Sequence, residues 1–206
     1  MAVQNEVQAD EQDGRRQRSA DSRARIVAAM LELTQAGEVS PGAEQVAAKA
    51  DVGLRTVFRH FKDMDSLYRE MAEVVEAGVR AVAGEPFVSA DAQGKLQELV
   101  ERRSRVFERL GPFKRAMDVH RHRWGHFTSD TTRMVAELRA ILKRELPEAL
   151  TSDPLRFEAL DLLLSFEAWS RLREDQGLDV ADARRVLGAA VLRVAGLGDG
   201  ADAGPR

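Results

Sequence analysis

Residues Ala43 to Phe61 read AEQVAAKADVGLRTVFRHF, and the spacing of small, apolar and corner-forming residues in that stretch leaves few folds open. In its first half Val46, Ala47 and Ala50 make one apolar stripe at helical spacing, with Glu44, Gln45, Ala48 and Lys49 turned away. The methyl group of Ala47 lets a second helix cross at close range. Asp51-Val52-Gly53 then predicts a tight corner. Asp tolerates the left-handed backbone such a corner needs, Val52 can plug it, and Gly53 can serve as the N-cap of the second helix. Beyond the corner, Val57 and Phe61 stand four apart as a buried pair, which leaves Arg55, Thr56, Phe58, Arg59 and His60 around the remaining surface.

That remaining surface suits the groove of a nucleic acid. Arginine bonds bidentately to guanine or to phosphate, threonine to either phosphate or base, and a protruding aromatic can lie against a sugar or a thymine methyl. Lys62 adds a phosphate-seeking charge just past the helix. A corner in an unrelated helical bundle would also bury two residues and leave the cations solvated. The agreement of small residue, corner and basic outer face favours a DNA-reading pair.

Val46-Ala47, Ala50-Asp51-Val52 and Thr56-Val57-Phe58-Arg59-His60-Phe61, followed by Asp63 and the helix start Asp65-Ser66-Leu67, are similar to the amino-terminal DNA-binding domain of the TetR family of bacterial transcriptional regulators. The resemblance covers residues 22–70 and departs from the family pattern at several positions. The family usually has Gly at Asp51, Ser or Thr at the caps Gly42 and Gly53, and Tyr at Phe58, whose missing hydroxyl removes one phosphate contact. Glycine at a cap costs only a few tenths of a kcal/mol against serine, so the local fold survives.

The resemblance implies an all-α protein: an amino-terminal three-helix, helix-turn-helix DNA-binding domain followed by a larger helical domain for ligand binding and dimerisation. It implies a ligand-responsive regulator, a repressor, acting as a homodimer on a palindromic double-stranded DNA operator and answering to an unidentified small-molecule effector. Leu54 and Arg55, with Gln45 from the supporting helix, are expected at bases, while Thr56, Phe58, Arg59, His60 and Lys62 face phosphate and sugar. The family's last two helices pair with their copies in a second chain, which points here to Leu160, Leu163, Leu164, Val186, Leu187, Ala190, Val191 and Val194; a core internal to one chain is the other use of so apolar a pair.

The 206 residues contain no cysteine, which rules out disulfides, thiolate metal sites and a cysteine nucleophile. No apolar run approaches a membrane span and the first residues lack the apolar core of a signal peptide, so a cytoplasmic protein without a membrane partner is expected. The net charge of −3 looks unsuited to DNA until it is divided along the chain. Residues 1–14 carry −4, residues 15–62 carry nine basic against five acidic side chains, and the remainder is close to balance at −3. Positive charge is concentrated in the segment that would face phosphates.

Taken in order, residues 1–20 are polar and without periodicity and read as a disordered arm, whose Arg15-Arg16-Gln17-Arg18 could follow a minor groove or simply be solvated. The DNA-binding domain is expected over residues 21–70, the effector-binding and dimerisation domain over 71–197, and a disordered tail over 198–206. A fourth helix, Met64 to Ala83, joins the two. Gly111-Pro112 is expected to start a new helix, and Pro154 to Asp175 to form one long helix apolar on more than one face.

Within the second domain Phe107, Phe113, Met117, His120, Trp124, Phe166 and Trp169 are candidate walls of an effector pocket, although residues at such spacing are more often plain core. With His120 and nearby Arg103 or Arg121, such a pocket suits a flat or weakly anionic molecule. His122 and His126 share a helix face as paired metal ligands do, but Gly125 lies between them and only Asp118 is spaced to assist, so no metal and no cofactor are expected. Neither a nucleophile elbow, a phosphate loop nor a His-Glu-x-x-His pair is present, and an enzyme is not expected. The remaining alternative is a helical adaptor or architectural DNA-binding protein without an effector.

Overall fold

The computed structural model describes residues 2–120 and 127–198, with side chains at 14, 16–116 and 133–198. Every regular element among them is helical. In order they are α1 (Ala2–Gln35), α2 (Ala43–Lys49), α3 (Leu54–His60), α4 (Met64–Ala83), α5 (Ala92–His120), α6 (Phe127–Glu145), α7 (Glu148–Thr151), α8 (Pro154–Leu163), α9 (Phe166–Ser170), a π-helical turn (Arg171–Asp175) and α10 (Val180–Ala195). The expectation of an all-α chain holds. No helix among the described residues is long and apolar enough to cross a membrane.

The chain divides into two compact units. One runs to Ala77 and includes Pro112–Val119; the other takes Gly78–Gly111 and the chain from His120 onward. The division thus falls inside α4, between Ala77 and Gly78. In the first unit α1, α2 and α3 pack on one another around Ile26, Met30, Val46, Val57, Phe61, Leu67 and Met71, each at most 2% exposed. Thr34 is buried with them by donating its hydroxyl to the Met30 carbonyl at 2.9 Å.

Three sequence expectations are corrected. Residues 2–20 belong to α1 rather than to an irregular arm. The segment has no apolar stripe, so periodicity could not reveal it; its Ala, Glu, Gln and Arg favour helix intrinsically, and Gln17–Asp21 and Arg18–Gly14 bonds one turn apart support it. Pro112 does not begin a helix but lies inside α5. A proline there forfeits one backbone bond, and Phe107, Leu110 and Ala116, all buried, hold the helix on either side of it.

The long helix expected over 154–175 is broken. Ser165 adopts an extended conformation and its hydroxyl accepts from Ala168 N at 3.2 Å, so it caps α9 and ends α8 at Leu163. In the second unit α8 packs on α7, α9 and α10, and Leu160, Leu164, Ala183, Leu187 and Val191 form the shared core.

Candidate nucleic-acid interface

The corner between α2 and α3 has the geometry its residues call for. Asp51 is the non-glycine residue of positive φ among those described, at 52°, and Val52 N donates back to the Ala47 carbonyl at 3.0 Å to close the turn. Gly53, extended at φ −70 and ψ 147, caps α3 through its carbonyl, which accepts from Thr56 N at 2.7 Å. The start of α2 is closed differently: the Gln45 side-chain oxygen accepts from Gly42 N at 2.8 Å.

With the corner set, α3 sorts its side chains. Val57 is 1% exposed and Phe61, just past the last turn, 2%. Leu54, Arg55, Phe58, Arg59 and Lys62 are exposed, and Thr56 is half-buried. Arg55, Arg59 and Lys62 make no ion pair with a described side chain, whereas Lys49 on the neighbouring helix is held by Glu32 at 2.8 Å. A leucine 38% exposed and a phenylalanine 48% exposed, flanked by three uncommitted cations, form an outward face that is both cationic and apolar. Such a face can meet phosphates with its charges and base edges or sugars with its carbon surface.

Two expected contacts are modified. Gln45 is exposed, but its amide oxygen is spent on the Gly42 cap, so only its NH2 group is free to donate. His60 is half-buried; its Nε2 is enclosed without a hydrogen-bond partner. Burial, then Arg59 and Arg23, hold its pKa below the ordinary imidazole value, with Glu70 opposing them. A neutral, inward-turned imidazole is not a phosphate-holding cation.

The sign of that shift gives a measurable consequence. The unfolded chain takes up this proton first as pH falls through about 6.5, so His60 lowers stability on the acid side of that value. His60→Gln is expected to flatten the fall in urea midpoint between about pH 7 and pH 5. An unchanged slope would show that other groups set it.

A residue not singled out from the sequence fixes the far end of α3. Arg23 on α1 donates from Nη1 to the His60 carbonyl at 2.6 Å, pairs with Glu70 of α4 through Nε at 2.9 Å and through Nη2, and lies 4.4 Å from the centre of the Phe61 ring. One guanidinium therefore joins three helices, taking up a carbonyl that α3 leaves unpaired at its end. Its trace in the sequence is only an arginine three residues before Ile26. The start of α4 is closed by Asp63, whose carboxylate accepts from Ser66 N at 2.8 Å.

In the second unit the pocket residues whose side chains are described, Phe107, Phe166 and Trp169, are committed to packing. Phe107 meets Phe166 edge-on at 5.6 Å between centroids, and Trp169 is buried with its Nε1 donating to Glu108 at 2.8 Å. Arg173 pairs with the same carboxylate at 2.8 Å, and its hydrogen bond is the main reason the Glu108 pKa is lowered. Phe113 falls in the stretch of α5 that belongs to the first unit. The side chains of Met117, His120, Arg121, His122, Trp124 and His126, and the tail beyond residue 198, lie outside the described residues.

Of the eight residues expected at a subunit contact, Leu160, Leu164, Leu187 and Val191 are core within one chain. They cannot also cover a partner, because the pairing of α8 with α10 already buries them. Leu163, Ala190 and Val194 are half-buried and Val186 is 48% exposed. Leu162, not among the eight, is 68% exposed on α8.

No family model and no curated protein matches the chain. Among solved structures it is similar to a TetR-like transcriptional regulator from Rhodococcus sp. RHA1, with a TM-score of 0.55 and 15% identity over 84% of this chain and 94% of that one. At that identity the likeness concerns architecture alone. A chain whose regular elements are all helical among the described residues, which carries a helix-corner-helix pair of this geometry and matches such a protein along most of its length, has the TetR-like fold.

Proposed function

We propose that the protein is a sequence-specific DNA-binding transcriptional regulator, a repressor that acts as a homodimer and leaves a palindromic operator when a small molecule binds its second unit. The observation that carries this reading is the outer face of α3, where Leu54, Arg55, Phe58, Arg59 and Lys62 are exposed while Val57 and Phe61 anchor the helix. Each copy would lay α3 in the major groove, and two-fold pairing would set half-sites about 34–36 Å, or a multiple, apart. Arg55 and Leu54 face bases in this reading; Thr56, Phe58, Arg59 and Lys62 hold the backbone, and the Gln45 NH2 group serves as an additional donor. Arg16 and Arg18, exposed on α1, can add phosphate contacts. Such a protein would work in the cytoplasm and needs no cofactor.

Arg55→Ala is expected to cost about 1–3 kcal/mol of operator binding and to relax preference at one base position. Lys62→Ala should weaken all sequences alike and lower the salt slope by about one unit. Gel-shift titrations on DNA upstream of the protein's own gene, repeated at several salt concentrations, measure both. Equal effects of the two substitutions on every sequence would favour an architectural DNA-binding protein, and loss of neither affinity nor selectivity would favour a helical adaptor.

Ligand response would travel along α4, one unbroken helix from Met64 to Ala83. A coupling of about 1–3 kcal/mol between ligand and operator is enough for release.

A further inference from the structure

Two adjacent arginines of α5 are removed from solvent, and their surroundings differ. Arg102, 6% exposed, is fully engaged: it pairs with Glu98 at 3.0 Å, donates to the carbonyls of Glu85 and Pro86, and lies 3.9 Å from the centre of the Phe87 ring. Arg103, 4% exposed, donates only to peptide carbonyls, to Leu138 at 2.8 Å and to Leu164. Its Nε is buried with no acceptor, and among the described residues no carboxylate reaches it as an ion pair. Asp161, whose field it feels, is held by Arg139 at 2.8 Å. Burial pushes the Arg103 pKa down to about 10, so the group is still charged at neutral pH.

A buried charge without a counterion is expensive, and an unused buried donor calls for an explanation. Space beside Arg103 supplies one. Arg103 lines a void of about 10 Å³, room for a single water, whose walls also include Ala83, Leu138 and Ile141. The same three residues also line a cleft of about 310 Å³ that runs past Val79 and Met134 and whose walls do not include Arg103 itself. That volume lies at the small end of the range for ligand pockets, about 300–1,000 Å³. The cleft is apolar within, and Arg80 and Arg144 stand at its rim with Glu137.

We infer that this cleft binds a small monocarboxylic acid with an apolar body, its carboxylate pairing with the guanidinium of Arg103 and its hydrocarbon lying along Val79, Ala83 and Met134. This names the chemical class of the effector and rests on the ligand-responsive reading above only for its link to DNA. A carboxylate satisfies the unused Nε–H and brings the missing counter-charge in one step. It is larger than the void beside Arg103, so Leu138 and Ile141 of α6 must move apart from Ala83 of α4 to admit it. An alcohol of equal length would leave the charge unpaired, and an amine would be repelled by Arg103.

The test is calorimetric titration of the full chain with octanoate, 1-octanol and octylamine. Octanoate is expected to bind at least about tenfold more tightly than octanol, with no binding of the amine. Arg103→Met should abolish the preference for the acid. Ala83→Phe, which keeps Arg103 and fills the cleft, should abolish octanoate binding while far-UV circular dichroism shows the helices intact. Equal binding of acid and alcohol, acid binding that survives Ala83→Phe, or no binding of any straight-chain acid from butanoate to dodecanoate overturns the proposal. Gel shifts in the same samples separate the two readings. Acid binding with the operator retained supports the site and counts against ligand response, whereas operator binding with no acid bound removes the site and leaves the DNA reading in place.

Discussion

Phe61→Ala is expected to destabilise the first unit by about 3–5 kcal/mol, the range for truncating a buried aromatic to alanine. The ring is 2% exposed and lies under the Arg23 guanidinium at 4.4 Å, so its loss opens a cavity and removes the surface on which Arg23 rests. Domains of this size are stable by about 5–15 kcal/mol, so a large share of the margin goes. Trp169 is buried in the second unit, and in a Trp124→Phe background it is the sole tryptophan. In urea, far-UV circular dichroism should therefore show an early transition that tryptophan fluorescence does not follow. Coincident shifts of both signals would mean that the units unfold as one, and an unshifted dichroism midpoint would mean that Phe61 is not the anchor of α3. Operator binding should fall with the early transition, since the angle of α3 depends on that ring.

Leu162→Glu is expected to dissociate the proposed homodimer. Leu162 is 68% exposed on α8 and Val186 48% exposed on α10, on the two helices that the family resemblance assigns to subunit pairing. A two-fold interface contains each residue twice. Losing the burial of one leucine is worth about 1.5–3 kcal/mol, so the symmetric loss is about 3–6 kcal/mol before any cost of burying carboxylates. Light scattering across a concentration series should show a dimer for the parent chain and a monomer for the variant, with the monomer retaining its helical signal. A monomeric parent, or a dimer indifferent to Leu162→Glu, would place the interface elsewhere. Because Leu160, Leu164, Leu187 and Val191 are core within one chain, charge at those positions should unfold the unit instead of separating subunits.

The α2–α3 pair was legible because its signals are local. Asp51 takes a left-handed backbone and Gly53 an extended one, and the four-residue spacing of Val57 and Phe61 decides which side of α3 is buried. What local pattern could not show was the use of polar atoms across distance. Arg23 lies 37 residues from the carbonyl it holds, and the Gln45 amide is taken by its own helix start. In the second unit the strength of the apolar run from Leu155 to Leu172 concealed Ser165, whose cap divides it. The same run overstated burial, since Leu155 and Leu162 are exposed. Arg103 was legible as one of two arginines near a candidate pocket, but not as a buried charge without a partner; that isolation depends on Asp161 being occupied by Arg139, which no spacing along the chain predicts.

Both α2 and α3 start on a glycine that offers no side-chain oxygen, and nothing stands within 4 Å of where a Cβ on Gly53 would lie. Their directions are consequently governed by the methyl and ring volumes turned inward, not by the chemistry of the residues that begin them. Mutational drift at those starting positions can proceed without rotating either rod, so kinship among such heads is better traced through the sizes of their hidden side chains than through the letters at their corners.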